Sequence, residues 1–303
     1  MSREEKTFIF GAGYSGKAFA RTSASSSGAL FGTTRAPEKF VSLSRAGITP
    51  LLFNGALTPE IETALGQTTH LVISVAPDEA GDPVLNAARA TIAGRMPELK
   101  WIGYLSTVGV YGDHGGDWVD EEAECRPVSR RSVMRVAAEQ AWLVLGQQIG
   151  RPVACLRLSG IHGPGRNAFV NLQNGTAKRL VKPGQVFNRI HRDDIGGALA
   201  HLAAQDRGGI FNVTDDLPAP PQDVVAYAAA LMGVEPPPEI PFETAELSPM
   251  ARSFYGENKR VTNEAIKAVG YRFRFPDYRS AFERMWADGS WNDGEARGPI
   301  KRS

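Results

Sequence analysis

The sequence predicts an α/β fold: a Rossmann-type, doubly wound parallel sheet with a smaller C-terminal domain. Three observations carry that prediction. Short apolar runs alternate with helix-like segments through the first half of the chain. A glycine-rich turn follows the first run at once. After Leu158 the alternation stops, and loops, strands and helices follow irregularly.

Taken in order, the runs are Thr7–Phe10, Ala29–Thr34, Ile48–Phe53, His70–Ala76, Trp101–Ser106 and Val153–Leu158. They are short and apolar on both sides, as strands sandwiched between two helix layers must be. Ser15–Thr22, Pro59–Leu65, Pro83–Ala93 and Val133–Leu145 read as the intervening helices, which gives βαβ units. Beyond Leu158, Gly160–Gly165 (GIHGPG) reads as a glycine–proline loop, Ile195–Ala204 as a helix and Gly209–Val213 as a strand. Pro221–Met232 reads as a helix, and Glu235–Pro241 as a stiff, extended spacer. Arg260–Val269 and Tyr278–Trp286 read as helices, and the polar tail from Asp288 is expected to fray. The expected organisation is a Rossmann domain over 1–160, with returning segments near 187–215. A smaller domain takes 161–186 and 216–290, and 291–303 is a polar tail.

Composition removes several classes. At 303 residues the chain can form one or two domains with a sizeable core. Its 34 basic and 33 acidic residues leave a net charge of +1, so no global field draws it to nucleic acid or anionic lipid. Two cysteines, Cys125 and Cys155, allow one bridge at most and fit a reducing compartment. Mean hydropathy is −0.23 and no run reaches the length of a membrane span, so no transmembrane helix is expected. The opening Met1–Lys6 is polar, and the apolar stretch behind it ends at Phe10. No signal peptide is expected, and a cytoplasmic location is.

Gly11-Ala12-Gly13-Tyr14-Ser15-Gly16 reads GxGxxG between a strand and a helix. The first glycine permits the tight turn, the second lets backbone approach a pyrophosphate, and the third lets helix and strand pack closely. The helix N-terminus then faces the anion. Gly11 to Lys17 also spells GxxxxGK, nearly a triphosphate-binding loop, but Ala18 stands where a magnesium-holding Ser or Thr belongs. A glycine turn that binds nothing is the plain alternative. The second run ends at Thr33-Thr34-Arg35, and Arg35 lies 19 residues after Gly16. That is where a dinucleotide fold places an acid for a ribose hydroxyl, or an Arg for a 2′-phosphate. The nearest acid is Glu38. NADP is therefore expected ahead of NAD, unless Arg35 is only a solvated residue at a strand end.

Five further segments occur in a telling order: Tyr104–Gly112 (YLSTVGVYG), Arg157–Arg166 (RLSGIHGPGR), Arg189–Asp194 (RIHRDD), Asn212–Asp216 (NVTDD) and Asn258–Val261 (NKRV). Together they resemble the extended short-chain dehydrogenase/reductase family, the NAD-dependent epimerase/dehydratase type, over roughly residues 7–285. The resemblance implies cofactor contacts from Gly11, Gly13, Tyr14, Ser15, Gly16, Thr34, Arg35, Val75, Ala76 and Ile161. That family uses a Ser or Thr after strand five and a Tyr-x-x-x-Lys on the next helix. Thr107 falls at the first position, with Ser106 beside it. Alignment on Ala137–Gln140 puts Arg131 at the tyrosine and Arg135 at the lysine. Arginine does not give up its proton in a protein, so Arg131 is no general acid. No other register helps: no Tyr lies between Tyr111 and Tyr227, and no Lys between Lys100 and Lys178. The pattern is similar to the atypical subgroup that keeps the glycine loop and loses the tyrosine.

The expected activity is an NADP-dependent oxidoreductase or epimerase-like reaction on a small carbonyl or hydroxyl compound. The alternative is a non-catalytic NADP-binding sensor. Candidate catalytic residues are Thr107, Ser106 and Arg135. The resemblance also implies a homodimer through the helices after strands four and five. The family's nucleotide-sugar enzymes carry an Arg just before the RIHRDD-like segment, where this chain has Phe187; Arg189 is out of register. Tyr111 and His162 are weaker proton-donor candidates, His191 reads as structural, and Asp113 and His114 read as solvated. The five histidines show no metal-ligand spacing, so no metal is expected. No GxSxG elbow occurs. Arg130, Arg131 and Arg135 could hold an acidic substrate.

Overall fold

The computed structural model describes residues 5–23 and 27–292, so most of the expected polar tail and the opening tetrapeptide lie outside the described residues. The chain opens with β1 (Glu5–Phe10), α1 (Tyr14–Ser23), β2 (Ser27–Thr34), α2 (Phe40–Arg45) and β3 (Thr49–Leu52). Next come α3 (Pro59–Gly66), β4 (His70–Ile73), α4 (Pro83–Gly94), β5 (Trp101–Thr107), β6 (Trp118–Val119) and α5 (Arg130–Ile149). Helix starts are set by side-chain caps that take up otherwise orphaned N–H groups. The Thr58 side chain accepts from Ile61, Asp82 from Val84 and Leu85, and Ser129 from Ser132. Proline fills the first turn of α3 and α4, where its missing N–H costs nothing.

The second half carries β7 (Val153–Leu158), β8 (Gly160–His162), α6 (Ala168–Gln173), β9 (Arg179–Val181), β10 (Arg189–His191), α7 (Arg192–Ala203) and β11 (Gly209–Val213). It closes with α8 (Pro221–Met232), β12 (Glu239–Pro241), α9 (Pro249–Phe254), β13 (Arg260–Val261), α10 (Glu264–Ala268) and α11 (Tyr278–Ala287).

Among the described residues, seven strands form one sheet in the order β11-β7-β5-β4-β1-β2-β3, all parallel. The winding direction reverses between β1 and β4. Alternate residues feed two cores. Ile9, Val72, Leu105 and Leu156 pack towards α1 and α7, while Phe8, Phe10, Leu71 and Tyr104 pack with residues of α3, α4 and α5. Each fully buried Leu, Ile or Phe contributes about 1.5–3 kcal/mol. Helices α1 and α7 lie side by side at Gly196, where backbone meets backbone. A third cluster joins Phe169 of α6, Val224 and Ala228 of α8, and Tyr278, Phe282 and Met285 of α11.

The structure corrects several expectations. The GIHGPG stretch is not all loop: β8 pairs in parallel with β10. The segment 260–269 is not one helix. Its first two residues form β13 against β6, and Asn263 bonds the Thr214 carbonyl before α10 begins. The extended spacer ends in β12, which pairs with β9. The fourth run leaves the sheet after Ile73, three residues early. Helices α2 and α6, six residues each, were too short to show a period. Both cysteines are free thiols. Among the described residues, no helix is long and apolar enough to cross a membrane.

Gly196→Ala tests the α1–α7 contact. The new Cβ would sit 2.7 Å from the Ala18 carbonyl oxygen, a backbone atom that cannot swing aside. A loss of about 1–3 kcal/mol is expected, read as a lower urea midpoint at unchanged slope. A wild-type midpoint would contradict this packing.

Candidate active site

The winding reversal opens a crevice at the C-terminal edge of the sheet, and the glycine turn sits in it. Gly11 holds φ +80°, a conformation that favours glycine. A Cβ there would lie 3.0 Å from Val75 and 3.2 Å from the Ser74 backbone. A Cβ on Gly16 would lie 3.3 Å from Ile9, so helix and strand pack closely there. At Gly13 a Cβ would meet only the Gly11 oxygen, 3.9 Å away, so this side of the turn is open to a ligand. Thr33 fixes the turn: its Oγ1 accepts from Gly11 N at 2.9 Å, and its carbonyl from Ala12 N at 2.8 Å. Helix α1 starts at Tyr14 and presents the partial positive charge of its N-terminus here. Ser15 is buried in that first turn. These features fit a pyrophosphate. Lys17 donates to Ser42 Oγ at 2.9 Å, which ties it to α2.

The other expected cofactor residues divide. Arg35 is exposed at the end of β2 and has no hydrogen-bond partner among the described residues. Thr34 Oγ1 accepts from Ala36 N at 3.2 Å. Val75 and Ala76 follow β4 on the crevice side, half-buried and exposed respectively. Tyr14 donates to the Pro164 carbonyl at 2.9 Å, so its hydroxyl joins the turn to the segment after β8. The guanidinium of Arg192 lies 4.8 Å over the Tyr14 ring. Sequence reasoning missed Arg192; its position inside RIHRDD, where the family pattern has an apolar residue, was the available signal. The Ile161 side chain packs into the sheet core, which leaves only its backbone for a cofactor.

Thr107 ends β5, half-buried, and its Oγ1 accepts from Gly109 N at 3.1 Å. Ser106 is a correction. Period-two alternation turns it to the opposite face, where it is buried and donates to Glu139. Glu139 also pairs with Arg157 at 2.9 Å, both side chains 5% exposed. Ser106 is therefore part of a buried ionic network and is out of reach of a substrate. Arg135 Nη1 donates to the Leu105 carbonyl at 2.9 Å and to Tyr104 OH at 3.0 Å, which anchors it on the face of β5 that Tyr104 and Ser106 share. Arg131, one helical turn before it, is exposed.

Tyr111, His162 and His191 lie in packed surroundings, whereas Asp113 is exposed, as expected. Tyr111 donates to Asn212 Oδ1 at 2.7 Å, and burial pushes its hydroxyl up to about 12. His162 and His191 stack edge-on at 5.4 Å. Burial pushes His162 well below the usual imidazole range and His191 down to about 3, so both are neutral at pH 7. Asp113 and His114 are hydrogen-bonded into the loop against Asn258. Asp215 is buried: Oδ1 accepts from Leu217 N at 3.2 Å and Oδ2 has no partner. Burial pushes its carboxyl up to about 8. Among the described residues, no group of three or more His, Cys, Asp or Glu is placed to hold a metal ion.

No family model matches the chain. Protein YeeZ of Escherichia coli (strain K12) is 31% identical over 192 residues, which is 62% of this chain and 62% of that protein. The chain thus matches less than two thirds of that relative's length. A 3-diazoavenalumate denitrifying reductase of Streptomyces sp is 26% identical over 167 residues, 50% of this chain and 53% of that one. The solved structure of a functionally unknown conserved protein from Silicibacter pomeroyi DSS is 45% identical, with TM-score 0.85, over 93% of this chain and 98% of that one. A Methylobacillus flagellatus protein assigned as an NAD-dependent epimerase/dehydratase is 24% identical, with TM-score 0.71, over 95% and 99% of the two chains. Human epimerase family protein SDR39U1, solved with NADPH, is 16% identical, with TM-score 0.70, over 93% and 99%.

Two variants test the electrostatics described here. Glu139→Gln leaves Arg157 buried without its counter-charge, and a loss of about 3–5 kcal/mol is expected in chemical denaturation. A loss of under about 1 kcal/mol would place the pair among exposed bridges instead. For Asp215, the raised pKa makes the folded state hold its proton while the unfolded chain has released it. Stability from this group is full below the ordinary carboxylate range and falls as pH rises towards about 8. Asp215→Asn removes that titration, so the Tm of the variant should gain on wild type steadily between about pH 4 and 8. A pH-independent difference would contradict the shift.

Proposed function

This chain belongs to one family with the functionally unknown conserved protein of Silicibacter pomeroyi DSS and has the extended short-chain dehydrogenase/reductase fold, and from that premise we propose that it is an NADP(H)-binding oxidoreductase or epimerase-like enzyme of the cell interior, acting on a small carbonyl or hydroxyl compound. The observation that carries this reading is the open glycine cradle at the winding reversal, with Thr107 ending the strand next to β4. Structural neighbours named as NAD-dependent or solved with NADPH support it, as does a relative named as a reductase.

When bound, the nicotinamide supplies or accepts a hydride. The chain's own residues do the rest. The first N–H groups of α1 hold the pyrophosphate. Arg35, exposed and unpaired, takes the 2′-phosphate. Thr107 Oγ1 orients the substrate oxygen; its hydroxyl hydrogen remains free to donate while the oxygen accepts from Gly109. Arg135, anchored by the Leu105 carbonyl and Tyr104 OH, stands at the family's lysine position, where its positive charge would contact the nicotinamide ribose. Arg131 cannot deliver a proton, so the proton that completes reduction comes from water, from the substrate itself or from a nonstandard residue.

Arg35→Ala should weaken NADPH binding by about 10–100-fold, the value of one charge-assisted contact, with NADH little changed. Thr107→Ala should abolish NADPH oxidation across a panel of small carbonyl compounds while the NADPH Kd stays the same. Equal loss for both dinucleotides in the first variant would remove the NADP preference. Full turnover in the second would remove Thr107 from the reaction.

A further inference from the structure

The pair β8–β10 has two different faces. Side chains of register partners in a parallel pair point the same way, and successive residues alternate. Ile161 and Ile190 turn into the sheet core. On the other face stand Arg189, opposite Gly160, and His191, opposite His162. Tyr278 and Phe282 of α11 cover part of this face: the Arg189 guanidinium lies 5.8 Å from the Tyr278 ring, and His162 5.7 Å from Phe282.

At Gly160, the register partner of Arg189, the face is bare. Gly160 is exposed, and a Cβ built there would meet only the Asn188 carbonyl oxygen within 4 Å. This opening lies at the substrate edge of the sheet. Gly160 is two residues past Leu158, and Leu158 is the register partner of Thr107.

The Arg189 guanidinium is held in place by backbone carbonyls and has no hydrogen-bonded counter-ion among the described residues. Nη1 donates to the Phe187 carbonyl at 2.8 Å and to the Ala219 carbonyl at 3.0 Å, and those two residues bridge each other. Among the described residues, Nε and Nη2 have no hydrogen-bond partner, and no carboxylate lies within 4.0 Å of Arg189. Asp215, whose backbone N–H donates to the Arg189 carbonyl at 2.7 Å, has its carboxyl pushed up to about 8 by burial, against the pull of the Arg189 charge, and is largely neutral at pH 7. His162 and His191 are neutral as well. A partly buried cation without a counter-charge is costly. A carboxylate meets the free edge of a guanidinium with two parallel hydrogen bonds and offsets that cost.

We propose that Arg189 and the open face of Gly160 form a subsite for the carboxylate of a small organic acid, which is the substrate class of the crevice. This rests on the redox reading only in taking the crevice as the place where substrate lies.

Benzoate and benzamide have the same shape and differ in charge, so they are the probes. Each is titrated calorimetrically into the purified protein, with and without NADPH, and NADPH alone is titrated in parallel. Benzoate should bind at least tenfold more tightly than benzamide. Arg189→Met should weaken benzoate at least tenfold and leave benzamide and NADPH unchanged. Arg189→Lys, which keeps the charge and loses the fork, should fall between, and it decides the matter if the Met variant does not fold. Equal binding of the two probes to wild type, or wild-type benzoate affinity in either folded variant, would overturn the proposal. Failure of NADPH to bind would overturn the cofactor reading and leave the benzoate result standing on its own.

Discussion

At Gly11 two loops of the sheet come so close, and the backbone takes so positive a φ, that any side chain there would be strained. The backbone of Ser74 and the side chain of Val75 occupy the space that a Cβ would need. That approach is possible because the sheet reverses its winding between β1 and β4, so neighbouring strands send their chains in opposite directions. It leaves α1 aimed into the crevice and Thr107, one strand further along, beside it. Thr33 holds the turn from the other flank through two hydrogen bonds.

The C-terminal layer is tied to the same edge at several points. Tyr14 reaches from the glycine turn to Pro164, and Arg192 lies over its ring. Asp194 in the first turn of α7 accepts from the backbone of Arg274 and Phe275 and from Tyr271 OH, which fixes the segment leading to α11. Burial pushes its carboxyl up to about 6, while those donors pull the other way. Helix α11 in turn places Tyr278 beside Arg189. The side chains between the two layers are thus tied, through these contacts, to the glycine turn.

The strand-and-helix rhythm of the first half was legible because buried parallel strands are short, apolar on both faces and punctuated by glycine, proline and caps. The glycine turn was legible for the same reason, since only glycine suits φ +80° against Ser74. The second half was read less well. β8, β10 and β13 have two or three residues each and gain their pairing from partners distant in sequence, which no local pattern records. Ser106 was misassigned because sequence proximity to Thr107 says nothing about face; alternation along β5 sends the two hydroxyls to opposite sides. Arg189 and Arg192 stood in a recognised motif, but their neighbours Tyr278, Gly160 and Tyr14 come from three other segments.

The account stands on the glycine cradle holding a nicotinamide dinucleotide. A calorimetric titration of the purified protein with NADPH and, separately, with NADH tests it most directly. The proposed function predicts saturable binding at one site per chain, with NADPH the tighter. Absence of heat with both dinucleotides, in protein shown to be folded, would contradict it and leave the turn at Gly11 as a purely structural device.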